Sequence, residues 1–150
     1  MSAKSRRRRH EAADNGAKLP EPLPPEFAIL RDIAPPIWEE HSLRLVPGSA
    51  IEGFPDFEGW WLRDSSGSAV GLRLDHHEDV SLQEKVRATA EGVESFIQEA
   101  GASSGRSNWP PCPAHPRTHP LASRMVDDGV VWCCPETSEQ VALVGQLLDS

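Results

Sequence analysis

A chain of 150 residues with 15 Lys and Arg against 23 Asp and Glu, net charge −8, suits one modest domain plus a tail and is too short for two ordinary domains. It holds no run of about 18 apolar residues to cross a bilayer and no apolar h-region behind its N-terminal charges, so the expectation is a cytoplasmic protein with no membrane contact. Three cysteines leave one over from any pairing, which argues against a disulfide framework. Twelve Arg against three Lys, with abundant Ala, Gly and Pro, suggest a GC-rich coding sequence.

Residues 1–25 read as a disordered basic and proline-rich tail. In the first 18, Arg6, Arg7, Arg8 and Arg9 with Lys4 and Lys18 stand against Glu11 and Asp14, a net of +4, and the remainder carries −12. Blocks of like charge stay solvated and often contact polyanions, so nucleic acid is a possible partner of the four arginines. The acidic body opposes that reading, and the tail has no aromatic residue to stack on bases.

Phe27, Leu30 and Ile33 recur at helical spacing, with Pro35-Pro36 as the expected stop. A short segment over 37–41 leads into an alternating strand over 43–46, closed by Pro47-Gly48. Residues 51–58 read as a loop with Phe54 and Phe57 as packing anchors. Residues 60–63 and 70–74 then flank the turn-rich 64–68 as a hairpin. Trp60, Leu62, Val70, Leu72 and Leu74 should share its buried face. Trp61 and Arg63 should point outward, with Trp61 covered by a neighbouring element.

Ser81-Leu82-Gln83-Glu84 fits a capping box opening the main helix. Leu82, Val86, Thr89, Ala90, Val93, Phe96 and Ile97 mark its apolar stripe, and Gly101 is placed as its end. Glu84, Glu91, Glu94 and Glu99 should make the outer side acidic. Ahead of it, Asp75-His76-His77 resembles the motif that names the DHH phosphoesterases, metal-dependent enzymes of considerably greater length. The resemblance covers three residues, and the further aspartates of those enzymes have no counterpart here. A polar loop near a helix N-terminus accounts for the same residues.

The stretch from 109 to 135 holds all three cysteines, two of six histidines and six of fourteen prolines. Cys112 and His115 stand as C-x2-H, a spacing that lets a tight turn aim both at one point. Zinc seeks four N or S donors in a tetrahedron. Cys134-Pro135 repeats Cys112-Pro113, each shortly after a tryptophan (Trp132, Trp109). On a strand over 130–134, Cys134 shares a face with Val130 and Trp132, while Cys133 points the other way with Val131. Cys112, His115 and Cys134 are therefore the expected ligands of one zinc ion, with His119 as the fourth and Cys133 a buried apolar residue. A stiff polyproline loop with free buried thiols, or a disulfide from Cys112, are the competing readings.

Residues 121–126 and 130–134, joined at Asp127-Asp128-Gly129, form a second expected hairpin, and residues 137–148 close the chain as a short helix or a strand. Cys112-Pro113-Ala114-His115, this hairpin, and Trp132-Cys133-Cys134-Pro135 together resemble a degenerate zinc ribbon with one incomplete knuckle. The chain as a whole is similar to small proteins of high-GC bacteria, a resemblance that implies no activity.

The expected fold class is α+β: a small antiparallel sheet covered by one main helix, followed by a zinc-ribbon-like β-hairpin segment. The tail takes 1–25, an α+β core 26–101, and the ribbon-like segment, packed on that core, 102–150. The expected function is that of a small metal-stabilised interaction module with a structural zinc and another protein as partner. Alternatives are a nucleic-acid binder using the arginine tail and ribbon, and a metal-dependent hydrolase in which three protein ligands leave zinc open to water. No residue has the fixed spacing to the ligands that a general base would need.

Overall fold

The computed structural model describes residues 19–54, 56–127 and 129–149. The expected nucleic-acid contacts of Arg6, Arg7, Arg8 and Arg9 lie outside the described residues, as does Asp128 of the second hairpin's turn. Among the described residues no helix is long and apolar enough to cross a membrane.

The first helical segment is a 3-10 helix, Pro25–Asp32, that buries Phe27, Ile29 and Leu30. Pro35-Pro36 does more than halt it. A proline has no N–H to lose in the first turn of a helix, so the same pair opens α1 (Pro35–Glu40). Trp38 of α1 is buried and donates from Nε1 to the Ile33 carbonyl at 3.1 Å.

Strands β1 (Arg44–Pro47), β2 (Gly59–Arg63) and β3 (Ala69–Arg73) form an antiparallel sheet in that order. Leu62 and Leu72 are buried on its inner face, with Trp60 and Val70 packed beside them. Leu74 lies beyond the end of β3 and is exposed, contrary to the alternation extended through it. Trp61 is covered from the other face as expected: the Phe57 ring stacks on it at 4.4 Å, and its Nε1 donates to the Gly48 carbonyl.

Helix α2 (Leu82–Ala102) opens with both hydrogen bonds of the capping box between Ser81 and Glu84. Thr89, Ala90, Val93, Phe96 and Ile97 are buried along it, while Leu82, in the first turn, is exposed. Gly101 is not the terminus. The helix runs on to Ala102, and Gly101 is needed because the Arg106 backbone passes where a Cβ would sit, its N–H donating to the Gly101 carbonyl at 2.8 Å. Glu94 is half-buried and not on the open acidic face.

Two further sheets follow: β4 (Pro111–Cys112) with β5 (His115–Pro120), and β6 (Ala122–Val126), β7 (Gly129–Cys133) and β8 (Gln140–Leu143) in sequence order. The chain is thus mixed α+β, with three antiparallel sheets and one main helix. The second hairpin forms as expected, with Arg124 opposite Val131, and gains β8 as a third strand. Residues 137–148 therefore supply a strand and then a 3-10 helix, Leu147–Asp149. The α2 helix packs on the first 3-10 helix, on β3, and on β6 and β7. One buried cluster accordingly joins Phe27, Leu62 and Val93 to Trp109, Leu121, Trp132 and Cys134.

Asp32 ties the two ends of this cluster together. Its carboxylate is buried and accepts from Trp132 Nε1 at 2.7 Å and from the Gly145 and Leu147 amides at 2.7 and 2.8 Å. Burial pushes its pKa up, against the pull of those three donors.

Candidate metal centre

Cys112 ends β4 and His115 begins β5, and the two face each other in register across the Pro113-Ala114 turn. That is the expected C-x2-H corner. The next paired residues are Pro111 and Pro120, so one step along β4 is matched by five along β5. Residues 116–119 therefore arch out of the ladder as a large bulge. Proline at 116 and 120 has no N–H to contribute there, so the bulge forfeits few ladder bonds. Asn108 holds the arch by donating from Nδ2 to the Pro116 carbonyl at 2.6 Å.

This arch is what recruits His119. On a straight strand, residues four apart are separated by about 13 Å; here the His115 and His119 rings lie 4.8 Å apart. His119 stands shortly before the first strand of the second hairpin, as the sequence suggests, and lies as well inside β5, a strand that the sequence did not indicate. Cys134 follows β7 directly and is buried, as is Cys112.

The four donor atoms of Cys112, His115, His119 and Cys134 all lie within 4.8 Å of one another, so the cluster could hold one metal ion. His115 Nδ1 is 3.7 Å from the Cys112 sulfur and 3.5 Å from that of Cys134, and His119 Nε2 is 3.9 Å from Cys134. A tetrahedron with zinc's usual bond lengths has sulfur–nitrogen and sulfur–sulfur edges of about 3.5–3.8 Å. The geometry is compatible with that ion.

The surroundings fix each donor. His119 Nδ1 lies 3.2 Å from the Pro120 carbonyl; a proton there leaves the Nε2 lone pair facing the sulfurs. Cys134 opens a turn closed by its N–H to the Glu139 carbonyl and by the Ser138 N–H to its own carbonyl. Ser138 takes a left-handed φ of 64° to complete it. The Thr137 hydroxyl, then the amides of Thr137 and Glu136 and the Cys112 thiol, hold the Cys134 thiol down to about 6 from its ordinary 9.0, burial opposing them. A thiol so disposed is a thiolate near neutral pH, the form that ligates. Trp109 and Trp132 meet edge to face at 6.1 Å and belong to the same buried cluster as Cys112 and Cys134.

Cys133 takes no part. Its side chain turns away with Val131 and donates to the Ala122 carbonyl at 3.5 Å, buried. The three cysteines are free thiols.

Glu136 is the residue that sequence reasoning missed. Its Oε2 lies 3.6 Å from His115 Nε2 and 3.4 Å from His119 Nε2. Its only signal was its place two residues after Cys134, next to the position, 137, where a repeat of the C-x2-H spacing would put a ligand. The Asp75-His76-His77 stretch, by contrast, gathers no comparable group: Asp75 pairs with Arg73 at 3.1 Å and His77 with Asp79 at 3.4 Å. Among the described residues, the C-terminal cluster is the one place where three or more metal-ligating side chains converge. No protein-family model, curated protein or solved structure matches the chain.

Proposed function

We propose that the chain is a small interaction module stabilised by one structural zinc ion bound to Cys112, His115, His119 and Cys134. The observation that carries this reading is the convergence of four N and S donors within 4.8 Å from three separate places, the end of β4, the arch of β5 and the turn after β7. Two thiolates balance a divalent cation, and two sulfurs with two imidazoles suit zinc in preference to harder metals.

Four protein donors close a tetrahedron and leave no position for water. A hydrolytic zinc needs that position, so the structural reading is preferred to the enzymatic one. Glu136 then serves as an outer carboxylate 3.6 Å from His115 Nε2, where its charge favours a proton on that nitrogen and leaves Nδ1 for the metal. The metal's task is to pin the arch of β5, whose residues 116–118 are exposed and bring no apolar surface to the core.

Elemental analysis of the purified full-length protein should find about one zinc per chain, lost in the Cys112→Ser and Cys134→Ser variants. Cobalt(II) substitution should show the intense visible bands of a tetrahedral thiolate site. Metal-free protein of unchanged stability would refute the reading.

A further inference from the structure

The first sheet has a second face, and its composition departs from the rest of the body. Residues directly opposite in the ladder share a face, and side chains alternate along each strand. The register therefore puts Arg44 and Val46 of β1, Trp61 and Arg63 of β2, and Gly71 and Arg73 of β3 together, away from the core. No acidic residue belongs to this face of the three strands. Beyond residue 18 the chain has nine Lys and Arg against 21 Asp and Glu, and three of those nine cations sit here.

Arg44 and Arg63 are direct cross-strand partners. Like charges so placed repel, and among the described residues neither has an acidic partner within ion-pair distance. Arg63 Nε is in addition a buried donor without an acceptor. A pair of cations held in this way is an arrangement that an external anion would relieve. Arg73 is different, since Asp75 already holds it and its guanidinium lies 5.6 Å from the centre of the Phe57 ring.

Beside the arginines stands a shelf of aromatic rings. Phe57 stacks on Trp61, and Phe54 meets the Trp61 edge at 5.2 Å with 52% of its own surface exposed. Gly71 leaves room for the shelf: a Cβ there would stand 3.0 Å from the Phe57 ring and 3.3 Å from that of Trp61, which would have to give by a few tenths of an ångström. Cross-strand arginines for phosphate and an open ring for a base are the two parts of a single-strand binding platform.

We infer that the outer face of β1–β2–β3 binds single-stranded nucleic acid, Arg44 and Arg63 contacting phosphate and Phe54 stacking on a base. Residues 1–18 carry a net charge of +4, the same sign as this face, so a polyanion is the better match in charge. The inference builds on the binding-module half of the proposed function and does not involve the metal, so the two fail separately: zinc content tests one and oligonucleotide binding the other.

The test is fluorescence anisotropy of labelled oligo(dT) and oligo(rU) with full-length protein over a range of salt, each variant being checked for unchanged zinc content. Arg44→Gln at its exposed position, alone and with Arg63→Gln, should weaken binding; the double variant should reduce the slope of log K against log salt by about 1.4, or 0.7 for each phosphate contact. Phe54→Ala should weaken binding about fivefold or more with the slope unchanged. The same ratios should persist when Arg6, Arg7, Arg8 and Arg9 are replaced by Gln. Binding lost only with the tail arginines would overturn the inference, as would inorganic polyphosphate displacing the oligonucleotide equally well from wild type and Phe54→Ala. So would an effect of Arg44→Gln on self-association alone.

Discussion

Chelating the metal should loosen one short part of the chain and spare the rest. Trp132 and Leu121 are fully buried in the same cluster as Phe27, Leu62 and Val93, so β6, β7 and β8 keep their packing on α2 without an ion. The arch of β5 has no such support. Residues 116–118 are exposed, two of its six positions are proline, and apart from the contacts of the imidazoles with Cys112, Cys134 and Glu136, the side-chain hydrogen bond that holds it among the described residues is the one from Asn108. Its closed form without metal should therefore lie close in free energy to its open form. Free zinc at about one hundred times its dissociation constant adds about 2.7 kcal/mol to the bound form, or roughly a hundredfold in amide protection. Hydrogen exchange with and without chelator reads this at Arg117, Thr118 and His119, with Val131, Trp132 and Val93 as internal references. The expected result is a fall of that order in the arch and in the turn after Cys134, with little change at the references. Equal loss of protection in β7 would show that the metal holds the whole C-terminal region, and unchanged protection at 117–119 would remove the case for a structural ion.

The remaining predictions concern single side chains. Asp32→Ala takes the acceptor from three donors, the buried Trp132 indole and two part-buried amides, and should cost about 3 kcal/mol or more in denaturant titration, at about 1–3 kcal/mol for the buried indole and less for each amide. Cys133→Ala removes one weak thiol hydrogen bond and should keep a full equivalent of zinc with a loss of about 1 kcal/mol or less, whereas Cys134→Ser should lose the metal. Burial raises Glu94 to about 7 from its ordinary 4.5, so its contribution to stability is fully present below pH 4.5 and disappears as pH rises through 7. Glu94→Gln should therefore be more stable than wild type at pH 8 by about 1–2 kcal/mol, after allowance for the half-exposed side chain, and equal to it near pH 4.5.

The elements that could be read from the chain were those whose signals are local. The capping box at Ser81 and the Asp-Gly signal after residue 126 each depend on a few adjacent residues, and the helix and the pair of strands that they announce are both present. The errors came where a short pattern was carried one step too far. Leu74 and Leu82 continue their stripes by spacing, yet each lies at the end of its element, where no neighbour remains to cover it. Gly101 looked like a stop, but its lack of a side chain serves the backbone of Arg106. Asp32 carried no signal, because its partners lie 100 and more residues away.

The metal cluster divides along the same line. Cys112 and His115 were legible because a C-x2-H corner is complete within four residues, and the alternation of β7 was enough to send Cys134 inward and Cys133 away. His119 could be named only by elimination. Its approach depends on the five-to-one mismatch between β5 and β4, and such a bulge has no sequence pattern of its own beyond an excess of proline. The prolines that looked like a reason to doubt an ordered site are thus part of what builds it: they remove ladder donors at 116 and 120, the chain leaves the sheet between them, and the imidazole four residues along comes within reach of its partner. Glu136 and Thr137 stand where a second knuckle would have carried its other ligand. They act on the site in another way, the threonine and the two amides through the sulfur of Cys134 and the carboxylate beside the imidazoles. An incomplete ligand motif with a supporting turn in place of its missing half can therefore still gather four side chains that could hold an ion, provided that the adjoining strand bends to bring in the last.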